Sequence, residues 1–203
     1  METVVTIFGY NLTYLELIGS IFNLVSVILA TKVNWGNWIT SIIGQICFFF
    51  LFWNNQLYFY SLLQVYFTGV CIMAIYYWNK TEKENHEGLK WFTNNKRFLW
   101  GMITSFTIII TYFITKQIIP TDKQSEYLFL DVTITVLSIL GVNLLSLKII
   151  DAWIVWLIID VLSICLFWLS GMYIVSIEYI VITFIAFFGL LNWMKIYKLK
   201  TIC

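Results

Sequence analysis

Proline and histidine each occur once among 203 residues, and charged side chains make up only 11% of the chain. A soluble domain carries about 25% charged and roughly 45–50% apolar residues. Here 61% are hydrophobic, more than a globule of this size can bury, so much of the surface must face lipid. The formal net charge is +1. That provides no basic field to draw nucleic acid, and no such partner is expected. A single histidine, His86, excludes a haem held by two imidazoles and any site of several His ligands. Set among Glu82, Lys83, Glu84 and Glu87, it reads as a solvated loop residue. The four cysteines, Cys47, Cys71, Cys165 and Cys203, have no paired spacing, so neither a disulfide framework nor a zinc site is expected. Gly-x-Ser-x-Gly, His-Glu-x-x-His, a paired intramembrane aspartate motif and a nucleotide-binding loop are also missing, which leaves a membrane enzyme little to work with. No cofactor and no metal are expected. Residues 1–11 lack a basic n-region and a small-residue cleavage site, so the first apolar run reads as a retained span.

What the chain has is long apolar runs. A helix needs about 20 mostly apolar residues to cross the hydrocarbon core, and on that measure the chain is an all-α integral membrane protein with seven spans, near 13–31, 36–53, 57–78, 98–119, 127–147, 152–170 and 172–194. One hydrophilic connection, residues 79–97, interrupts them. Pro120 follows the fourth span, where a helix can end without loss. With the N-terminus outside, the inner loops and tail hold Lys32, Lys80, Lys83, Lys90, Lys96, Arg97, Lys148, Lys195, Lys198 and Lys200, and the outer side holds Lys116 and Lys123. Ten against two orients the N-terminus outward and the C-terminus to the cytoplasm of the inner (plasma) membrane.

The two ends of the chain resemble each other. SIFNLVSVILATKVNWGNW (Ser20–Trp38) aligns with SILGVNLLSLKIIDAWIVW (Ser138–Trp156) at an offset of 118, each placing a Ser 15 residues before a Trp-x-x-Trp. Further on the offset becomes 115, where Phe52-Trp53, Ser61, Thr68 and Trp78 match Phe167-Trp168, Ser176, Thr183 and Trp193. Glu16 and Asp131 share that offset. The expected architecture is therefore 3+1+3: residues 1–78 form a first three-helix repeat, residues 79–119 a cytoplasmic connection plus linker helix, and residues 120–203 a second three-helix repeat with a basic tail. Because one span separates them, the repeats run parallel, as in transporters whose substrate site lies near the midplane between halves.

Ionisable groups inside a bilayer are costly, by about 2.5–3.5 kcal/mol on insertion scales, and mark function. Asp160 lies roughly 12 Å into the sixth span at 1.5 Å per residue. It reads as a counter-charge for a cationic substrate or as a structural acid bonded to a neighbouring helix. Glu178 is deep enough to face the interior. Glu16 and Asp131 sit where a carboxylate complements a helix N-terminus. Gln45, Gln64, Asn23 and Asn143 offer amides to a substrate or to other helices. Trp153 and Trp156 stand one turn apart and read either as pocket walls that stack on a flat cation or as interface tryptophans. Trp35 and Trp38 are read as belt residues. Tyr179 and Tyr173 are lesser candidates.

Trp153–Gly189 (WIVWLIIDVLSICLFWLSGMYIVSIEYIVITFIAFFG) resembles the C-terminal half of PnuC-type nicotinamide riboside transporters, NQLYFYSLLQVYF (Asn55–Phe67) resembles their third span, and LELIGSIFNLVSVILA (Leu15–Ala30) their first. The resemblance covers nearly the whole chain apart from residues 79–97. It implies a fold related to the SWEET sugar transporters and uptake of nicotinamide riboside by facilitated diffusion, with intracellular phosphorylation trapping the substrate. It also strengthens Gln64 and the Trp-x-x-Trp as substrate-binding residues. Relatives of the family carry thiamine or riboflavin, so thiamine or another vitamin is the alternative cargo, and a membrane enzyme the lesser one. The chain departs from the family at Asp160, where an Asn is usual, at Cys71, Ala74 and Ile75, and at Phe188. These are pocket positions and bear on the substrate more than on the fold. Oligomeric state is left open, a homo-oligomer included.

Overall fold

The computed structural model describes residues 3–7, 10–54, 58–83, 88–120, 126–171 and 173–202. His86, Glu84, Glu87, Lys123 and Cys203 lie outside the described residues. Two short strands, β1 (Thr3–Ile7) and β2 (Tyr10–Thr13), pair antiparallel with Ile7 opposite Tyr10. They were not expected, because runs of four or five residues are too short to declare a period. The rest is helical: α1 (Tyr14–Thr31), α2 (Gly36–Asn54), α3 (Tyr58–Lys83), α4 (Asn94–Ile118), α5 (Leu128–Ser146), α6 (Asp151–Leu169) and α7 (Tyr173–Ile202). All seven are long and apolar enough to cross a membrane, matching the seven expected spans. The helices α3 and α7 outrun their apolar segments because a helix can continue into polar sequence once its backbone bonds are running. Thr13 caps α1, its Oγ1 accepting from the backbone N–H of Glu16 at 3.3 Å. The first turns of α1 and α5 hold Glu16 and Asp131, which is the dipole-complementing placement expected of them.

The chain forms two compact units, Met1–Glu87 and Gly88–Cys203. In the first, α2 packs against both α1 and α3; in the second, α6 packs against α5 and α7, and α4 against α5. Small residues let the backbones approach: a Cβ on Gly44 would sit 3.3 Å from the carbonyl oxygen of Gly19.

The two units share local geometry at a constant offset of 115. Ser61 Oγ donates to the carbonyl of Phe49 at 3.3 Å, and Ser176 Oγ to that of Ile164 at 3.1 Å. Trp38 meets Trp78 edge-on at 5.5 Å, as Trp153 meets Trp193 at 5.6 Å. The α1–α2 turn places Val33 at φ 55°, and the α5–α6 turn places Lys148 at φ 57°. The offset of 118 expected over Ser20–Trp38 is therefore corrected by one helical turn: Trp38, not Trp35, occupies the position of Trp153. The belt reading of Trp38 is corrected with it, since its ring is 1% exposed and packed inside its unit, whereas Trp35 is exposed.

A left-handed φ costs an L-residue about 1–2 kcal/mol, and a β-branched residue has least reason to adopt it. Val33→Gly removes that cost while adding back about 0.5–1 kcal/mol of chain entropy. The expected net gain is about 0.5–1 kcal/mol, read as a higher unfolding temperature in detergent; a lower one would show that the Val33 side chain contributes more than its backbone loses.

Candidate substrate-binding site

Residues 153, 156, 160 and 163 recur on α6 at intervals of three and four, which sets them on one helix face. Three of them carry a buried polar atom without a hydrogen-bond partner, Trp153 Nε1, Trp156 Nε1 and Asp160 Oδ2, and the fourth, Ser163, lies with its hydroxyl beside that of Tyr179. Asp160 is 1% exposed and Ser163 is fully buried. Buried polar groups are nearly always bonded, and leaving one unmet costs about 1–3 kcal/mol. Three on one face therefore form a row of two N–H donors and a carboxyl oxygen that no described residue meets. Ser163 was missed in the sequence, although its place one turn beyond Asp160 was legible.

Glycines set the depth of the two indoles. The Trp153 ring lies against Gly189 of α7, where a Cβ would come within 2.7 Å of it, and the Trp156 ring lies on Gly141 of α5, where a Cβ would come within 3.1 Å. Trp153 is thus held between Gly189 and Trp193, while Trp156 is only half-buried. Tyr179, on α7, stacks on Phe167 at 5.3 Å and lies within electrostatic reach of Asp160 and Glu178. Glu178 is half-buried on the same helix. The expected residues Trp153, Trp156, Asp160, Glu178 and Tyr179 thus fall on two helices packed together.

The amides divide differently. Asn143 Nδ2 donates to the carbonyl of Ile139 on its own helix at 2.7 Å. In the first unit, Gln45 and Gln64 line an open groove between α2 and α3, together with Phe49 and Thr68 and the exposed Phe50 and Val65. Gln45 Oε1 and Trp38 Nε1 have no partner. At the offset of 115 these two residues stand where Asp160 and Trp153 stand on α6, so the polar row is repeated in part. Ser41 breaks the likeness, because its hydroxyl meets that of Ser26 at 2.6 Å where Trp156 meets Gly141. Asn23 is half-buried on α1, its backbone close to Gly44. No group of three or more metal-binding side chains occurs among the described residues.

Residues 13–195 match the family model described as nicotinamide mononucleotide transporter. The chain belongs to that family. It is 31% identical to the nicotinamide riboside transporter PnuC of Escherichia coli (strain K12) over 92% of this chain and 87% of that protein, and equally to the protein of the same name in Shigella flexneri. Among solved structures, the vitamin B3 transporter PnuC superposes with a TM-score of 0.73 at 17% identity, covering 91% of this chain and 82% of the other, a likeness of fold. Membership of this family makes the chain a multi-pass membrane transporter. The departures noted in the sequence fall on the α6 row at Asp160 and on α3 and α7 at Cys71, Ala74, Ile75 and Phe188.

Proposed function

We propose that this transporter takes up nicotinamide riboside by facilitated diffusion across the inner membrane, with its N-terminus outside, its C-terminus in the cytoplasm, and intracellular phosphorylation trapping the substrate. The observation that carries this reading is the row of unpartnered polar atoms on α6, which fits the relatives' named substrate. Nicotinamide riboside is a pyridinium cation with a carboxamide and ribose hydroxyls. The Asp160 carboxylate supplies the counter-charge in a medium where charge interactions are strong. An indole stacks on the flat cation, and of the pair Trp156 has the more accessible ring. Trp N–H groups and the Ser163 hydroxyl suit the carboxamide and the ribose. The matched turns and Trp–Trp pairs at an offset of 115 support the 3+1+3 plan, with α4 as the linker between parallel three-helix repeats.

Asp160 would serve any flat cation, and thiamine is the second reading because its thiazolium carries the same charge. Calorimetric titration of the purified protein with nicotinamide riboside, thiamine and riboflavin, at two sodium concentrations and two pH values, decides between them. The expected result is micromolar binding of nicotinamide riboside, insensitive to sodium. Tighter binding of thiamine would transfer the function to that vitamin, and binding of none of the three would refute the reading.

A further inference from the structure

The segment that leads into α4 is fastened to the turn between α5 and α6. Lys90 forms a parallel bridge with Ile149: its N–H donates to the carbonyl of Lys148 at 3.2 Å, and its carbonyl accepts from the N–H of Ile150 at 2.9 Å. Leu89 beside it is buried. The bridge brings the chain to Asp151, the first residue of α6, and there both carboxylate oxygens are used. Oδ2 accepts from the backbone N–H of Phe92 at 2.9 Å, and Oδ1 accepts from Arg97 Nε at 2.6 Å. The Asp151 side chain is 10% exposed and that of Arg97 43%. Arg97 is held in turn, its guanidinium lying 5.2 Å from the centre of the Trp91 ring. Phe92 stacks in parallel with Trp100 of α4 at 6.5 Å.

This arrangement ties the start of α4 to the start of α6. A carboxylate in the first turn suits the helix dipole, and charge-assisted bonds from a planar guanidinium fix direction as well as distance. The other side of the same turn is closed by Trp153 against Gly189 and Trp193. The start of α6 is therefore held from both sides, and the polar row begins two residues after Asp151. At the matching place in the first unit, α2 starts with Gly36, which has no carboxylate, and its N–H takes the neighbouring Asn34 Oδ1 at 2.8 Å.

We propose that Arg97 and Asp151 form a positioning pair that holds the first turn of α6 in register and thereby sets the affinity of the α6 row for its substrate. Neither residue touches the substrate; the pair acts through α6. The inference rests on the proposed function for its ligand, so its test includes a readout that needs none.

Arg97→Ala, Arg97→Lys and Asp151→Asn are compared with the unaltered full-length protein in nanodiscs. Amide hydrogen exchange is followed over residues 151–160 and, as a control, over residues 36–54, and nicotinamide riboside affinity is measured by calorimetry. Arg97→Ala should speed exchange at the start of α6, leave α2 unchanged, and weaken binding by at least about tenfold. Arg97→Lys keeps the charge without the fork and should recover part of both. Asp151→Asn should resemble Arg97→Ala, and the double variant should do no worse than either single one, as expected for two partners in one interaction. Exchange unchanged in α6 would overturn the proposal, as would faster exchange with unaltered affinity in a protein whose parent binds. A parent that binds no nicotinamide riboside would refute the functional reading instead, and exchange in α6 would then decide the pair's role alone.

Discussion

Gly189→Ala should lower the unfolding temperature of the purified protein by about 3–6 °C, the shift that a net loss of about 1–2 kcal/mol produces in a chain of this size. Two effects oppose each other. Alanine is the better helix former by about 1 kcal/mol, whereas overpacking a filled core costs about 1–3 kcal/mol, and an approach of 2.7 Å puts this site at about 2–3 kcal/mol. The clash should win because the Trp153 ring has nowhere to go. The added methyl would lie 2.7 Å from Cη2 and Cζ3 and 2.9 Å from Cε3 of a ring that is 2% exposed and already set edge-on against Trp193. At the matching position of the first unit stands Ala74, also buried, so the site excludes a methyl because of where Trp153 lies and not because of the helix itself. Scanning fluorimetry checks the shift, and Trp153→Phe in the same chain should restore most of it. An unchanged or higher unfolding temperature for Gly189→Ala alone would mean that the indole yields freely and does not hold α6.

Asp160→Asn should move two quantities in opposite directions. Affinity for nicotinamide riboside should fall roughly ten- to hundredfold, the equivalent of the 1.5–3 kcal/mol that a charged partner typically adds to a buried interaction. The unfolding temperature of the ligand-free protein should rise, because a buried carboxylate with an unpartnered oxygen is replaced by a neutral amide of the same shape. Opposed changes of this kind are the signature of a group kept for function at a cost in stability. Uncharged nicotinamide supplies the control, since its binding should not depend on a counter-charge. Equal losses for both ligands would assign Asp160 a role in shape alone, and no loss for either would remove it from the site.

Seven spans were legible because a membrane imposes a minimum apolar length, and this chain meets it seven times with little between. Helix ends at Lys83 and Ile202 were not, since hydropathy reports where lipid is and not where a helix stops. The repeat was visible through its tryptophans, but Trp-x-x-Trp resembles itself when shifted by one turn. The later residues already stood at 115 in the sequence, and the left-handed Val33 and Lys148, with the Trp–Trp contacts, extend that offset over the first Trp-x-x-Trp. At the candidate site, Asp160 stood out as a lone acid in an apolar run. The glycines under Trp153 and Trp156 did not, because an isolated glycine in a helix announces nothing about the ring that rests on it. The tie between Arg97 and Asp151 spans 54 residues, and no local pattern reports a contact at that range.

That separation also fixes an order of events during synthesis. Every tie described in the first unit, from the Thr13 cap to the Trp38–Trp78 contact, closes among residues made before residue 88. The second unit cannot finish in that way. When Phe92 and Arg97 leave the ribosome, their acceptor lies 59 and 54 residues downstream, a wait of about 3–12 s at roughly 5–20 residues per second. Through that interval Arg97 is a cation without its carboxylate at the head of an apolar helix, a form in which, on the proposed orientation, it can help hold that end on the cytoplasmic side before its partner is made.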